Sequence, residues 1–98
     1  MFAMSWEAMI MSWKDAETRR FAETGPSCWS GLDQPQAMRR LQTLNVATTP
    51  ADLGRLKSLS LHKLSGNRAG YWAMTLNGPY RLVFRFDDGD AHDVQIVD

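Results

Sequence analysis

The chain is 98 residues long, 44% hydrophobic, and carries 11 Lys+Arg against 11 Asp+Glu, a formal net charge of zero. That length suits one small domain with a single core, no apolar run approaches the roughly 20 residues that span a bilayer, and neutrality argues against generic nucleic-acid binding. A lone Cys28 provides neither an internal disulfide nor a cysteine metal set, so it reads as a small hydrophobe in a reducing, cytoplasmic compartment.

The opening "MFAMSWEA" is apolar but lacks a basic n-region and is broken by Glu7, so it is not read as a secretory signal. "MSWEA" nearly duplicates "MSWKDA", which makes residues 1–8 an expected N-terminal extension and 9–98 the single folded domain. "MIMSWK" (9–14) predicts a short strand. "DAETRRFAETG" predicts a helix with Asp15 as N-cap, closed by Gly25 with Pro26 beyond it. "SCWSGLDQ" reads as loop. A second helix starts at Pro35, in the first turn where proline is tolerated, and its Ala37, Met38, Leu41 and Leu44 form one apolar stripe. Thr49-Pro50 repeats that start signal for a single turn ending near Gly54.

After Leu56 the pattern changes from helical to alternating. "SLSLHKL" predicts a strand, "SGNRAG" a loop, and "YWAMTLNGPYRLVFRF" a hairpin around Asn77-Gly78. Pro79 at the start of the returning strand is tolerated there. "DDGD" predicts a tight turn into a last strand, "AHDVQIV". The expected fold is α+β: an N-terminal strand, two helices, then a three- to four-stranded antiparallel meander with helices on one face.

With Asn77-Gly78 as a two-residue turn, Met74 faces Arg81, Ala73 faces Leu82, Trp72 faces Val83 and Tyr71 faces Phe84. Tyr71, Ala73, Tyr80, Leu82, Phe84 and Phe86 then share the helix-facing side. Trp72, Met74, Arg81, Val83 and Arg85 share the other, which is the candidate functional face. A turn one residue longer would change which neighbours meet, but not the alternation within the second strand.

Charge is unevenly distributed along the chain. From Leu53 to Phe86 the charged residues are Arg55, Lys57, Lys63, Arg68, Arg81 and Arg85, with no acid between them, whereas Asp87 to Asp98 holds five aspartates and no base. Such asymmetry can produce a positive surface patch on a neutral protein.

These residue types suit RNA cleavage without a metal. That reaction needs a 2′-hydroxyl deprotonated, an adjacent phosphorus attacked, phosphoryl charge stabilised and a leaving oxygen protonated. Histidine suits either proton transfer, arginine grips phosphate oxygens with its planar fork, and aromatic or guanidinium planes stack on bases. His62, Lys63, Arg68, Trp72, Arg81 and Arg85 fall within one compact meander. Taken singly, each reads more readily as a solvated strand residue or, for Trp72, as packing; His92, in an acidic strand, reads as structural or exposed. Signatures of zinc proteases, zinc fingers, P-loop enzymes and α/β-hydrolases are all missing. No metal and no cofactor are expected.

The run Leu61-His62-Lys63-Leu64-Ser65-Gly66-Asn67-Arg68-Ala69-Gly70-Tyr71-Trp72, followed by Asn77, Tyr80-Arg81-Leu82, Phe84, Phe86 and Val97-Asp98, resembles the RelE/ParE superfamily of bacterial toxins and, within it, the HigB-type toxins of type II toxin–antitoxin systems. The resemblance is specific over about the last forty residues and looser before them. It implies a RelE-like fold and a ribosome-dependent mRNA endonuclease that inhibits translation. The implied partners are mRNA in the A site of the small ribosomal subunit and a HigA-type helix-turn-helix antitoxin that neutralises the toxin. With the antitoxin it would co-repress its operon, touching operator DNA only through it. By the same resemblance His62, Arg81, Asp98 and Arg68 match catalytic positions, and Lys63, Arg85, Trp72 and Lys57 are expected to contact RNA.

Two departures from the family pattern carry expectations. Many relatives have a lysine at the position of Ser65, so Lys63 or Arg68 is expected to supply that charge. Relatives usually continue Tyr-His after the aspartate that matches Asp98. Either those residues are removed here, which would cripple the enzyme, or this member is naturally blunt. The alternative to an enzyme is a non-catalytic co-repressor that binds its antitoxin.

Overall fold

The computed structural model describes residues 12–25, 29–47, 49–55, 60–87 and 89–98, apart from the side chains of Pro50 and Arg68. Three helices come first: α1 (Ala16–Thr24), α2 (Gln34–Val46) and α3 (Pro50–Gly54). Four strands follow, β1 (His62–Lys63), β2 (Tyr71–Thr75), β3 (Arg81–Asp87) and β4 (Asp90–Val97), forming one antiparallel sheet in the order β1-β2-β3-β4. This is the α+β meander expected from the sequence. No helix among the described residues is long and apolar enough to cross a membrane.

Local chemistry sets the helix ends. The Asp15 carboxylate accepts the Thr18 N–H at 2.9 Å and so caps α1, while Gly25 ends it at φ 95°, a backbone conformation that glycine adopts without strain. Asp33 caps α2, accepting from the Gln36 N–H at 3.0 Å, with Pro35 in the first turn. Around α3, Thr49 and Asp52 form a reciprocal capping box. On α2, Ala37, Leu41 and Leu44 of the anticipated stripe are buried and Met38 packs at its margin.

The helices cover one side of the sheet. Phe21, Leu41, Leu44 and Leu53 meet Met74, Leu82, Phe84, Val94 and Ile96 in a core where each is at most 2% exposed. The outer edge of β4, which would otherwise offer unpaired backbone groups, is covered from the N-terminal side. The Lys14 N–H donates to the Val94 carbonyl and the Val94 N–H to the Ser12 carbonyl, a parallel bridge at Trp13. The Ile96 N–H donates to the buried Thr18 hydroxyl at 3.0 Å. The expected strand at 9–14 is therefore represented by residues 12–14; Met9, Ile10 and Met11 lie outside the described residues, as does Cys28.

Two expectations are corrected. The hairpin closes with a three-residue loop: the Leu76 N–H donates to the Tyr80 carbonyl at 2.9 Å, and β2 pairs with β3 as Tyr71↔Arg85, Trp72↔Phe84, Ala73↔Val83, Met74↔Leu82 and Thr75↔Arg81. Pro79 explains this, because a two-residue loop would need its N–H to close the ladder and proline has none. The one-residue shift exchanges the faces of β2. Tyr71 and Ala73 join Arg81, Val83 and Arg85, while Trp72 and Met74 turn to the helix side. The alternation within β3 is as expected. The strand read over 58–64 is the second correction. It is only His62–Lys63, because Ser60 has φ 51° and breaks the extended run; residues 56–59 lie outside the described residues.

Candidate active site

Opposed residues of an antiparallel pair project to one face, and the pairs His62↔Ala73, Ala73↔Val83 and Arg81↔Val97 gather His62, Arg81 and Val97 on the side away from the helices. There a shallow depression of about 240 Å³ is lined by Leu64, Ala73, Arg81, Val83, Val97 and Asp98. Its floor is small and apolar, since Ala73 and Val83 are buried yet lie outside the helix-side core. Arg81 and Asp98 give it one cationic and one anionic group, both on exposed residues. His62 stands on the same face, one strand out from Ala73.

Arg81 and Arg85 differ in their surroundings. Arg81 has no ion pair among the described residues, so its guanidinium is available to an anion. Arg85 is held by two carboxylates, Asp93 at 3.1 Å and Asp87 at 3.8 Å. Asp93 also accepts from the Tyr71 hydroxyl at 2.9 Å and sits beside the Ser12 hydroxyl. The Tyr71 hydroxyl and the Arg85 guanidinium hold the Asp93 carboxyl below its ordinary range, and the same carboxylate pushes the Tyr71 phenol up.

A β-bulge creates this cluster. Between the pairs Val83↔Gln95 and Arg85↔His92, the two residues Asp93 and Val94 oppose the single Phe84. Asp93 takes φ 53°, a left-handed conformation that aspartate tolerates better than most residues. The extra residue lets Val94 remain in the core while the Asp93 carboxylate reaches Tyr71 and Arg85.

The other expected residues are distributed as follows. Lys63 and Trp72 oppose each other on the helix side, with the Lys63 ammonium 5.4 Å from the centre of the Trp72 ring, a cation–π distance. Trp72 packs against the core margin, so neither residue shares the face of Arg81. The backbone of Arg68 ends a 3-10 turn, Gly66–Arg68, in the loop joining β1 and β2. Lys57 lies outside the described residues. Tyr71 and Asp93 were missed by the sequence reading; the absence of an N–H at Pro79 was a signal for Tyr71, whereas nothing local marked the bulge at Asp93.

A family described as "RelE-like toxin of type II toxin-antitoxin system HigB" matches residues 10–98. The chain belongs to this family. It is also similar to the "Endoribonuclease HigB" of Proteus vulgaris, with 34% identity over 93 residues that span 92% of this chain and 98% of that protein. The match extends the resemblance carried by the last forty residues to almost the whole chain. As a HigB-family toxin of a type II toxin–antitoxin system, the protein has an antitoxin partner. The enzyme class expected from the sequence, an endoribonuclease, is that of this relative.

Proposed function

We propose that this HigB-family toxin is an endoribonuclease that cleaves mRNA in the ribosomal A site and thereby inhibits translation in the cytoplasm. Its partners are a HigA-type helix-turn-helix antitoxin, which neutralises it and with which it represses its own operon, and the small ribosomal subunit that presents the message. The observation that carries this reading is the depression on the free face of the sheet. An arginine with no ion pair among the described residues stands at its rim, Asp98 shares it, and His62 stands on the same face.

In this mechanism the Arg81 guanidinium holds two oxygens of the scissile phosphate and stabilises the charge that develops as the 2′-oxygen attacks. His62 exchanges a proton with the reacting oxygens. Asp98 serves as the second polar group of the site, and the apolar floor of Ala73 and Val83 excludes water beneath the phosphate. Arg68 provides a further cation from the β1–β2 loop, in place of the lysine that relatives carry at the position of Ser65.

The test is a ribosome-containing translation extract with a reporter message, in which 5′ ends are mapped after adding the protein. New ends are expected within codons. His62→Ala should lower cleavage by about 10²–10⁴-fold and Arg81→Ala by about 10²–10³-fold. Unchanged cutting by both variants would place the site elsewhere. A wild-type chain that binds its antitoxin and represses transcription, but never cuts, would establish the non-catalytic co-repressor instead.

A further inference from the structure

Only two described residues other than glycine have positive φ, Ser60 at 51° and Asp93 at 53°. Asp93 has its reason in the bulge. Serine has no comparable preference for this region, and Ser60 stands two residues before the histidine of the proposed site. The left-handed turn there ends the extended run, and the Ser60 carbonyl oxygen lies 3.0 Å from His62 Nδ1.

From this contact we infer that Ser60 is a positioning residue for His62, and that Nε2 is the nitrogen that exchanges protons with RNA. The inference rests on the ribonuclease reading above. A carbonyl oxygen can only accept, so Nδ1 must carry the hydrogen. In the neutral ring the lone pair is then on Nε2, which takes a proton from an attacking hydroxyl. In the imidazolium both nitrogens carry hydrogen, the Nδ1–H bond to Ser60 is unchanged, and Nε2 returns its proton to a leaving oxygen. Only one nitrogen cycles, and the ring keeps one orientation in both states. Such fixing of a catalytic imidazole by an acceptor on its other nitrogen is a general device. Here the acceptor is a backbone carbonyl, held beside the ring by the turn of the chain at Ser60 and Leu61 and not by the Ser60 hydroxyl.

The dependence on the turn makes the proposal testable with two substitutions of opposite conformational preference at Ser60. Glycine adopts positive φ freely, whereas a β-branched residue there is an outlier. Histidine tautomers are distinguished by the 15N shifts and two-bond couplings of the imidazole. The chain has only two histidines, so a His92→Asn variant assigns the signals. In the full chain, with the ring neutral, His62 is expected as the Nδ1–H tautomer. Ser60→Gly should keep it, and Ser60→Val should move it toward the Nε2–H form and lower RNA cleavage by about tenfold or more. An Nε2–H tautomer in the wild-type protein overturns the proposal whether or not the variants fold. So does a folded Ser60→Val protein that keeps the Nδ1–H signature. If the tautomers behave as expected but the wild-type protein never cuts RNA, the ribonuclease reading fails and the contact between Ser60 and His62 stands.

Discussion

Two arginines separated by three residues on β3 project to the same face, yet only one is left available. The Asp93 carboxylate accepts from the Arg85 guanidinium and from the Tyr71 hydroxyl, and this doubly donated bond makes stability depend on pH. Asp93 is lowered from its ordinary value of 3.8, chiefly by the Tyr71 hydroxyl and then by Arg85. A carboxyl depressed in the folded state contributes stability that is fully present above its unfolded pKa and is lost as pH falls through the folded value. Tyr71 is raised from 10.0 by the same contact, so its share is present below that value and is lost as pH rises through the folded pKa. Asp93→Asn is therefore expected to lower the urea midpoint at neutral pH. It should also make the fall in that midpoint below about pH 4 shallower than in the wild-type protein. Parallel midpoint curves for the two proteins would show that Asp93 carries no share of the acid sensitivity.

Among the elements, the β2–β3 loop sets which residues meet, and its own side chains anchor it. Asn77 accepts from the Asp33 N–H at 2.6 Å and donates to the Gly31 carbonyl at 2.8 Å, clamping the hairpin to the segment that leads into α2. Asn77→Ala removes both bonds. It should cost about 1–3 kcal/mol at the usual worth of a hydrogen bond, seen as a lower urea midpoint with an unchanged slope. A full-strength midpoint would mean that the backbone bonds of the loop suffice. Asn77-Gly78 was legible as a turn, and so were the caps at Asp15 and Thr49, the stripe on α2 and the alternation of β3, because each is written in residues adjacent in sequence. The register was harder to read: it turned on a missing N–H at Pro79, and one residue of slip moved Trp72 off the candidate face and Tyr71 onto it. His62 and Arg81 were legible as candidate site residues through a motif. Their surroundings were not, because the Asp93 bulge and the left-handed Ser60 are fixed by tertiary contacts and leave no local pattern.

At the scale of the whole molecule, the blocks of charge that are separate along the chain become neighbours in the sheet. The strand order sets acidic β4 beside β3, so that Asp93 reaches Arg85, and Asp98 shares a depression with Arg81. The positive patch expected from the run between Arg55 and Arg85 is thus interrupted. Lys63 lies on the helix side, Arg85 is neutralised, and the free face offers Arg81, to which the proposed site adds Arg68 from the loop joining β1 and β2. Single-stranded nucleic acid gives a slope of log affinity against log salt of about −0.7 for each phosphate neutralised. Two such cations predict a slope of about −1.4 for a short RNA protected from cleavage by 2′-O-methyl groups, measured by fluorescence anisotropy across a salt series. Arg81→Ala should make that slope shallower by about 0.7. A slope of about −4, corresponding to all six bases between Leu53 and Phe86, would mean that the carboxylates of β4 do not withhold Arg85 from RNA. A slope near the lower value would mean that this face carries little attraction for RNA of its own, as the proposed presentation of the message by the ribosome requires.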